Sequence, residues 1–422
     1  MNVRWLNGAV AAAIASTIGC SGEVAAVPSD GGPGHDAPAP QDGGYEASPP
    51  YDGGGVADSS PIPTEASPSE GDNCQTPGVD CTVPPTPPSG AAPPPTGTTP
   101  HDYAIRQLFM GDTDRTGVTS AAAWQSFGYN LDNLVTTREA SDVCTLAPGA
   151  SKATQTDGIG GIDNSFGENI LPILITTTGS DFGAKIDDEL AGGTFTDLVY
   201  VMGFDDLSGN TTTATGLTGV LLAGGNYATV NQGPPAWNLA TQWPIEPESL
   251  NGCPAGVCPA GTNPVTSAKV QFPSAYQKNG TFVGGGGSVD ILLNLSLGGS
   301  PFTLSVHSAS LTFAPNVPGS VTNGTIAGVL ATSELVSSFQ AVAGSISTSL
   351  CSGSAFQSIA QQIDQASDIV FDPGTGAVYN QAGTACNAIS IGLGFEATEI
   401  APPTSANITG PTPVAPSPCG DQ

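Results

Sequence analysis

Aspartate is the residue type in this sequence with the clearest capacity for chemistry, because it recurs in short glycine-rich segments. In GDTDRTG, Asp112 and Asp114 are spaced like the first two ligands of an EF-hand calcium loop. Ala123 stands where that loop would end in glutamate, which argues against a true EF-hand. Oxygen ligands on glycine-rich loops nevertheless suit calcium, and the candidate calcium ligands are Asp112, Asp114, Asp157, Asp163, Asn164, Asp205 and Asp206.

These aspartates have a second interpretation that involves no metal. Asp-Gly and Asn-Gly pairs are among the commonest turn formers of β proteins, because both residues adopt turn conformations at little cost. We favour turns over a calcium site, and the sequence indicates no cofactor other than calcium.

Nucleophilic and nucleotide-dependent chemistry are poorly supported. His35 and His101 lie in or at the edge of a proline-rich segment, and the third histidine, His307, falls on the polar side of a predicted strand, where a surface position is usual. We find no G-x-S-x-G, H-E-x-x-H or Walker A pattern. We therefore favour a non-enzymatic role.

Carboxylate-dependent glycoside hydrolysis is the alternative, since that reaction uses an acid and a base about 5–10 Å apart. Trp237 and Trp243, in PPAWNLATQWP, form a candidate aromatic platform for a sugar, although large aromatic residues more often belong to the core. Spacing along the sequence does not show whether two carboxylates converge, so the alternative stays open.

The charge balance excludes one class of partner. The chain has 8 basic and 37 acidic residues, and its formal net charge is −29. So acidic a protein repels phosphate backbones, and we expect no nucleic-acid binding. It attracts cations instead, although acidity also keeps an exported protein soluble.

The elements that must position these residues are mainly strands. β-Branched and aromatic residues predict a buried strand over 193–203. Alternating apolar residues predict antiparallel strands over 288–297, 301–313 and 387–397, with a bulge at Ser308 to Ser310 where the alternation slips. Helical spacing predicts helices over 181–193, 332–344 and 352–370. The expected fold is mainly β (α+β), an antiparallel β-sandwich or curled sheet with a few flanking helices.

A composition change separates the folded body from what precedes it. Residues 20–100 consist largely of Pro, Gly, Ser, Ala, Thr and Asp, and their only charges are negative. Such a segment buries too little apolar surface to fold, which predicts a disordered tether. The body is expected over 101–422, with a candidate internal boundary near 231–265.

The first 19 residues predict a signal peptide. Arg4 precedes an apolar segment over 9–18 that is shorter than the ~20 residues needed to span a bilayer. The following Thr17-Ile18-Gly19-Cys20 resembles the lipobox of bacterial lipoproteins. That resemblance implies that Cys20 carries the lipid and becomes the mature N-terminus. Ser21, in place of an aspartate, implies the outer membrane.

The other eight cysteines suit disulfides, as expected of an exported protein, although eight allow 105 pairings. These cysteines are Cys74, Cys81, Cys144, Cys253, Cys258, Cys351, Cys386 and Cys419. Cys74–Cys81 and Cys253–Cys258 would close short local loops. Cys351–Cys386 and Cys144–Cys419 are then our expected long-range pairs.

The arrangement as a whole resembles surface lipoproteins of myxobacteria, in its lipobox, its Asp-Gly-Gly tether and stretches such as LFMGDTDRTG and GIDNSFGENILPI. The resemblance implies a location and no activity. We expect a lipid-anchored lipoprotein of the cell envelope, held at the outer membrane and facing the surface or the periplasm. Its β-rich module would be structural or would bind a glycan or a surface protein. The alternative is an anchored, carboxylate-dependent glycan hydrolase.

Overall fold

The computed structural model of the protein describes residues 72–89, 93–95, 97–178, 182–205, 212–297, 300–351 and 353–410. The predicted signal peptide, Cys20 and the tether as far as residue 71 lie outside the described residues, and so do Asp206 and Cys419.

Strands dominate the described part of the chain. They are β1 (Asp72–Asn73), β2 (Pro100–Phe109), β3 (Leu134–Val135), β4 (Thr196–Met202), β5 (Ala214–Gly224), β6 (Val270–Gln271), β7 (Ala275–Lys278), β8 (Thr281–Leu297), β9 (Ser300–Phe313), β10 (Pro315–Val317), β11 (Ser320–Ala331), β12 (Val370–Asp372), β13 (Ala377–Tyr379) and β14 (Ala388–Ile400). The mainly β prediction is confirmed.

Helices flank these strands. They are α1 (Leu171–Thr178), α2 (Phe182–Gly192), α3 (Tyr227–Asn231), α4 (Pro264–Ser267), α5 (Thr332–Ile346) and α6 (Ser354–Gln365). The predicted helices correspond to α2, α5 and α6. A π-helical turn at Phe166–Ile170 leads into α1 and was not predicted. No helix among the described residues is long and apolar enough to cross a membrane.

The sheet closes into an antiparallel barrel of eight strands, and the predicted sandwich is therefore wrong. The order around the barrel is β2-β4-β5-β7-β8-β9-β11-β14, and β14 pairs with β2 again. Closure depends on β11, which forms hydrogen bonds with β14 along one edge and with β9 along the other. Without the pairing of β11 with β9, one edge of each of these two strands would be open. Closure leaves no open edge among the eight barrel strands.

One continuous apolar core fills the barrel and extends under the helices. Alternate residues of each strand point inward, including Phe282 and Phe313, whose rings lie 5.1 Å apart. The apolar faces of α1, α2, α5 and α6 join the same cluster, for example through Phe339 of α5, which is 1% exposed.

A second apolar layer lies on the outer face of β2, β4 and β5. The segment around 231–265, where the sequence suggests a candidate internal boundary, packs on this face. Its centre is Trp243, which is 2% exposed and packs against Trp237 at 5.2 Å between ring centroids. Trp243 is therefore a core residue and not part of an exposed aromatic platform.

Residues that precede His101 also belong to the body. The β1 strand pairs with β3, and the Tyr276 hydroxyl donates a hydrogen bond to the Pro85 carbonyl. Residues in the range 72–89 thus contact the body that the sequence predicts from His101 onward.

Three disulfides link described residues. Cys74–Cys81 and Cys253–Cys258 close local loops, as predicted. The long-range expectation was wrong, because Cys144 pairs with Cys386 across a sequence separation of 242. The two chain segments lie side by side, since Thr145 forms a parallel bridge with Ala385. Cys351 is disulfide-bonded as well.

Asp102 is an unusual residue of the outer layer. It lies on β2 and is 1% exposed. Its paired residues on the two adjacent strands are Tyr200 of β4 and Ile400 of β14. Neither of its carboxyl oxygens has a hydrogen-bond partner among the described residues. Burial, with a smaller contribution from Glu399, raises the pKa of Asp102 to about 8. The side chain is therefore mostly protonated at neutral pH.

Because an unfolded aspartate ionises at about pH 4 and folded Asp102 at about 8, stability falls as pH rises between these values. One such group contributes a slope of roughly 1.4 kcal/mol per pH unit. Asp102→Asn stays neutral at every pH. We therefore expect its free energy of unfolding to fall less steeply with pH than that of the wild type, by up to roughly 1.4 kcal/mol per pH unit. Urea unfolding from pH 5 to 8 measures it, with the exposed Asp80→Asn as control. Equal slopes in Asp102→Asn and the wild type would contradict this assignment.

Candidate functional site

A cleft of about 570 Å³ opens on the outer side of the barrel wall. It is bounded by β8, β9, the beginning of α5, the end of α6 and the hairpin of β12 and β13. Its lining combines carboxylates, hydroxyls and apolar groups and comprises Ala147, Asp290, His307, Ala331, Thr332, Ser333, Glu334, Asp364, Ser367, Phe371, Pro373, Cys386 and Asn387. We call it the His307 cleft.

A β-bulge positions the histidine. Along β8 and β9, Ile291 pairs with Val306 and Val289 pairs with Ala309. Between these pairs β8 has one residue, Asp290, and β9 has two, His307 and Ser308. A bulge was predicted at Ser308 to Ser310, and the structure has it at His307 and Ser308. Ser308 has a left-handed backbone with a φ of 49°. Bulges redirect side chains, and this one sets His307 beside Asp290.

Glycine on the neighbouring strand makes room for the bulge. Gly328 of β11 lies where the pairing with β9 shifts, between Ala327 and Val329. A Cβ atom on Gly328 would lie 2.6 Å from the carbonyl oxygen of His307. Any larger residue at this position would therefore displace the strand that carries the histidine.

Both nitrogens of the His307 ring face carboxylates. Nδ1 lies 3.2 Å from an oxygen of Asp290, and Nε2 lies 2.8 Å from an oxygen of Glu334 in the first turn of α5. The ring also stacks on Phe371 of β12, at 4.8 Å between centroids and 19° between planes. The imidazole is only 14% exposed, while Asp290 is 66% and Glu334 53% exposed.

These contacts stabilise the cationic form of the ring. Burial alone lowers the pKa of His307, but the hydrogen bonds to Glu334 and Asp290, together with their charges, outweigh it. The net effect is a pKa above the ordinary value of 6.5. With Asp364 also in the lining, the cleft presents three carboxylates against one imidazolium, and its surface is net negative.

The aspartates predicted as calcium ligands are distributed over separate loops. Asp114 accepts hydrogen bonds from Thr116 and from the backbone of Val118, which closes its own turn and lowers its pKa. Asp205 accepts a hydrogen bond from Thr212. Asp112 lies on the loop that contains Asp114, next to α2, where a Cβ on Gly183 would meet its carboxylate at 2.6 Å.

Two of the predicted ligands, Asp157 and Asp163, do come together. They interact with Asp132 and Asp368 in what we call the acidic core cluster. Burial raises the pKa of Asp157 to about 8 and that of Asp368 to about 7, and mutual repulsion among the carboxylates adds to this. Backbone N–H groups of Leu131, Thr136 and Ser390 donate hydrogen bonds to the cluster.

The acidic core cluster is stabilised by protons and hydrogen bonds. Among the residues that the structure describes, no group of three or more His, Cys, Asp or Glu side chains is arranged to hold a metal ion. Asn164, another predicted ligand, uses both atoms of its side-chain amide in hydrogen bonds to the backbone. Its amide nitrogen donates to the carbonyls of Trp124, Phe127 and Gly392, and its oxygen accepts from the Gly167 and Gly392 N–H groups.

Cys386, predicted as a disulfide cysteine, lines the His307 cleft, but the titratable residues of the cleft were not among the predicted site residues. His307 was interpreted as a surface residue, and the slip in alternation beside it was the one signal of special geometry. Its contact with Glu334 spans 27 residues and depends on where α5 lies against the barrel. No spacing rule connects a strand residue with a helix residue at that distance.

Comparison with protein-family models, with curated proteins and with solved structures found no significant match in any of the three. The chemistry of the cleft therefore rests on its own geometry.

The His307 assignment predicts an NMR titration. In the wild type, the ring protons of His307 should titrate above pH 6.5 because two carboxylates stabilise the cation. Glu334→Gln removes one of the two charges and should lower this pKa. Glu248→Gln, an exposed glutamate outside the cleft, serves as the matched control. An unchanged His307 pKa in Glu334→Gln would contradict the assignment.

Proposed function

We propose that this protein is a lipid-anchored envelope lipoprotein whose barrel binds a basic side chain of a peptide or surface protein in the His307 cleft. The observation that carries the proposal is the excess of carboxylates over cations in a concave cavity. Asp290, Glu334 and Asp364 line about 570 Å³ in which His307 is the one basic group.

Size, charge and lining support a ligand of this class. The volume lies within the range of small-molecule and short-peptide sites. Exposed carboxylates at the rim attract a lysine or arginine head group, and Phe371 with Pro373 offers apolar contact to its methylene stem. The net charge of −29 favours the approach of cationic partners over long distances.

Glycan hydrolysis remains the second candidate, because three carboxylates share one cavity. However, Asp290 and Glu334 both bind the same imidazole ring, which occupies the space between them. A sugar would have to displace the ring before either carboxylate could act on it. We therefore place binding ahead of hydrolysis.

A blocked tripeptide, Gly-Lys-Gly, tests the proposal by isothermal titration calorimetry. Its acetyl-lysine form has the same shape without the charge and should not bind. Glu334→Gln should weaken binding of the lysine form by about tenfold, because one charged hydrogen bond is lost, whereas Glu248→Gln should not weaken it. Equal binding of both peptides would rule out charge recognition. Release of reducing sugar from an oligosaccharide probe would favour hydrolysis.

Anchoring is proposed from the sequence and its resemblance to lipoproteins. A lipobox cysteine carries several acyl chains, and two or more chains hold a protein stably at a membrane. The segment between Cys20 and the first described residue would then act as a spacer.

Cys20→Ser tests the anchor. The full chain, expressed in a Gram-negative host, should sediment with membranes, while Cys20→Ser should not, because serine cannot form the thioether to the lipid. Ser21→Ala keeps the thiol and should stay in the membrane fraction. Cell fractionation with immunoblotting makes the measurement. If the wild type is found only in the soluble fraction, the proposed anchor is wrong.

A further inference from the structure

We propose that His307 is the resident cation of the cleft, and that a basic ligand binds by displacing it and releasing its proton. This inference rests on the proposed function and extends it, since it states how the cleft recognises its ligand. It follows from the position of the imidazole, whose two nitrogens each contact one oxygen of Asp290 or Glu334, the exposed carboxylates to which a basic ligand would bind.

The geometry requires a protonated ring. A neutral imidazole has one N–H donor and one acceptor nitrogen, whereas the imidazolium ion has two donors. Asp290 and Glu334 are acceptors, and one of them lies opposite each nitrogen, at 3.2 and 2.8 Å. In the neutral ring one lone pair would face a carboxylate. Both contacts are therefore favourable only in the cation.

The cation depends on those two partners for its stability. The ring is 14% exposed and stacks on Phe371, so little water solvates its charge. The titratable side chains that line the cleft with it are Asp290 on β8, Glu334 on α5 and Asp364 on α6. The hairpin of β12 and β13 contributes only Phe371 and Pro373 to the lining.

A ligand ammonium that binds Glu334 takes the hydrogen bond of Nε2 and places a second positive charge beside the ring. Both changes remove stabilisation from the imidazolium, and the burial that remains favours the neutral form. The proton on Nε2 is then released to solvent, and the positive charge of the ligand ammonium replaces the charge of the imidazolium. The charge of the cleft is unchanged by the exchange, so no extra charge is left unpaired.

Proton release makes binding depend on pH. In the pH range where His307 is protonated in the ligand-free protein and neutral in the complex, the dissociation constant should fall by up to about tenfold per pH unit. Below about pH 10 the lysine amine of the peptide stays charged. Asp157 and Asp368 of the acidic core cluster have pKa values of about 8 and about 7, in the same range. The part of the pH dependence that disappears in His307→Gln therefore reports the proton exchange on His307.

The test uses the blocked Gly-Lys-Gly peptide and the full chain at fixed ionic strength. Dissociation constants are measured at pH 6, 7 and 8, and the binding enthalpy at pH 7 is compared in phosphate and Tris buffers. We expect tighter binding as pH rises and an enthalpy difference that corresponds to close to one proton released. This wild-type measurement does not depend on any variant being folded.

His307→Gln and His307→Asn remove the resident cation. Each should bind the peptide at least tenfold more tightly than the wild type at pH 6 and lose the part of the pH dependence that His307 causes, while Glu248→Gln should behave as the wild type. A wild-type dissociation constant that is constant with pH, with equal enthalpies in both buffers, would overturn the inference and leave the proposed function intact. Absence of peptide binding at every pH would overturn both.

Discussion

The hydrogen bonding of β11 to two neighbours is the constraint on which the rest of the structure depends. Because β11 pairs with β14 along one edge and with β9 along the other, the sheet has no free edge in its main path. Closure creates an inner face, which the aromatic core fills, and an outer face, which other segments must cover. The outer apolar layer around Trp243 and the His307 cleft are consequences of that division.

The cleft arises where closure is least regular. β9 bulges twice, at His307 and Ser308 against β8 and at Ser308 and Ala309 against β11, and Gly328 supplies the space for the second bulge. The same irregularity that bends β9 brings a histidine next to an aspartate and under the beginning of α5. In a regularly paired β9, successive side chains would point alternately to the inner and the outer face of the barrel.

Carboxylates shape the molecule in three different ways. In the turn at Asp114 the carboxylate closes a loop, and its pKa is lowered by the hydrogen bonds that it accepts. In the acidic core cluster and at Asp102, burial raises the pKa and keeps protons bound near neutrality. In the His307 cleft the carboxylates remain exposed and stabilise a cation. Burial and hydrogen bonding separate these roles, and residue type does not.

The sequence by itself determined the strand-rich class, the bulge at Ser308, the α2, α5 and α6 helices and the two local disulfides, because each depends on periodicity or short separation. It did not determine barrel closure, the Cys144–Cys386 bond or the meeting of His307 with Glu334. Those depend on which edges pair and on where a helix docks. Both are set by contacts between distant segments, and local patterns carry no record of them.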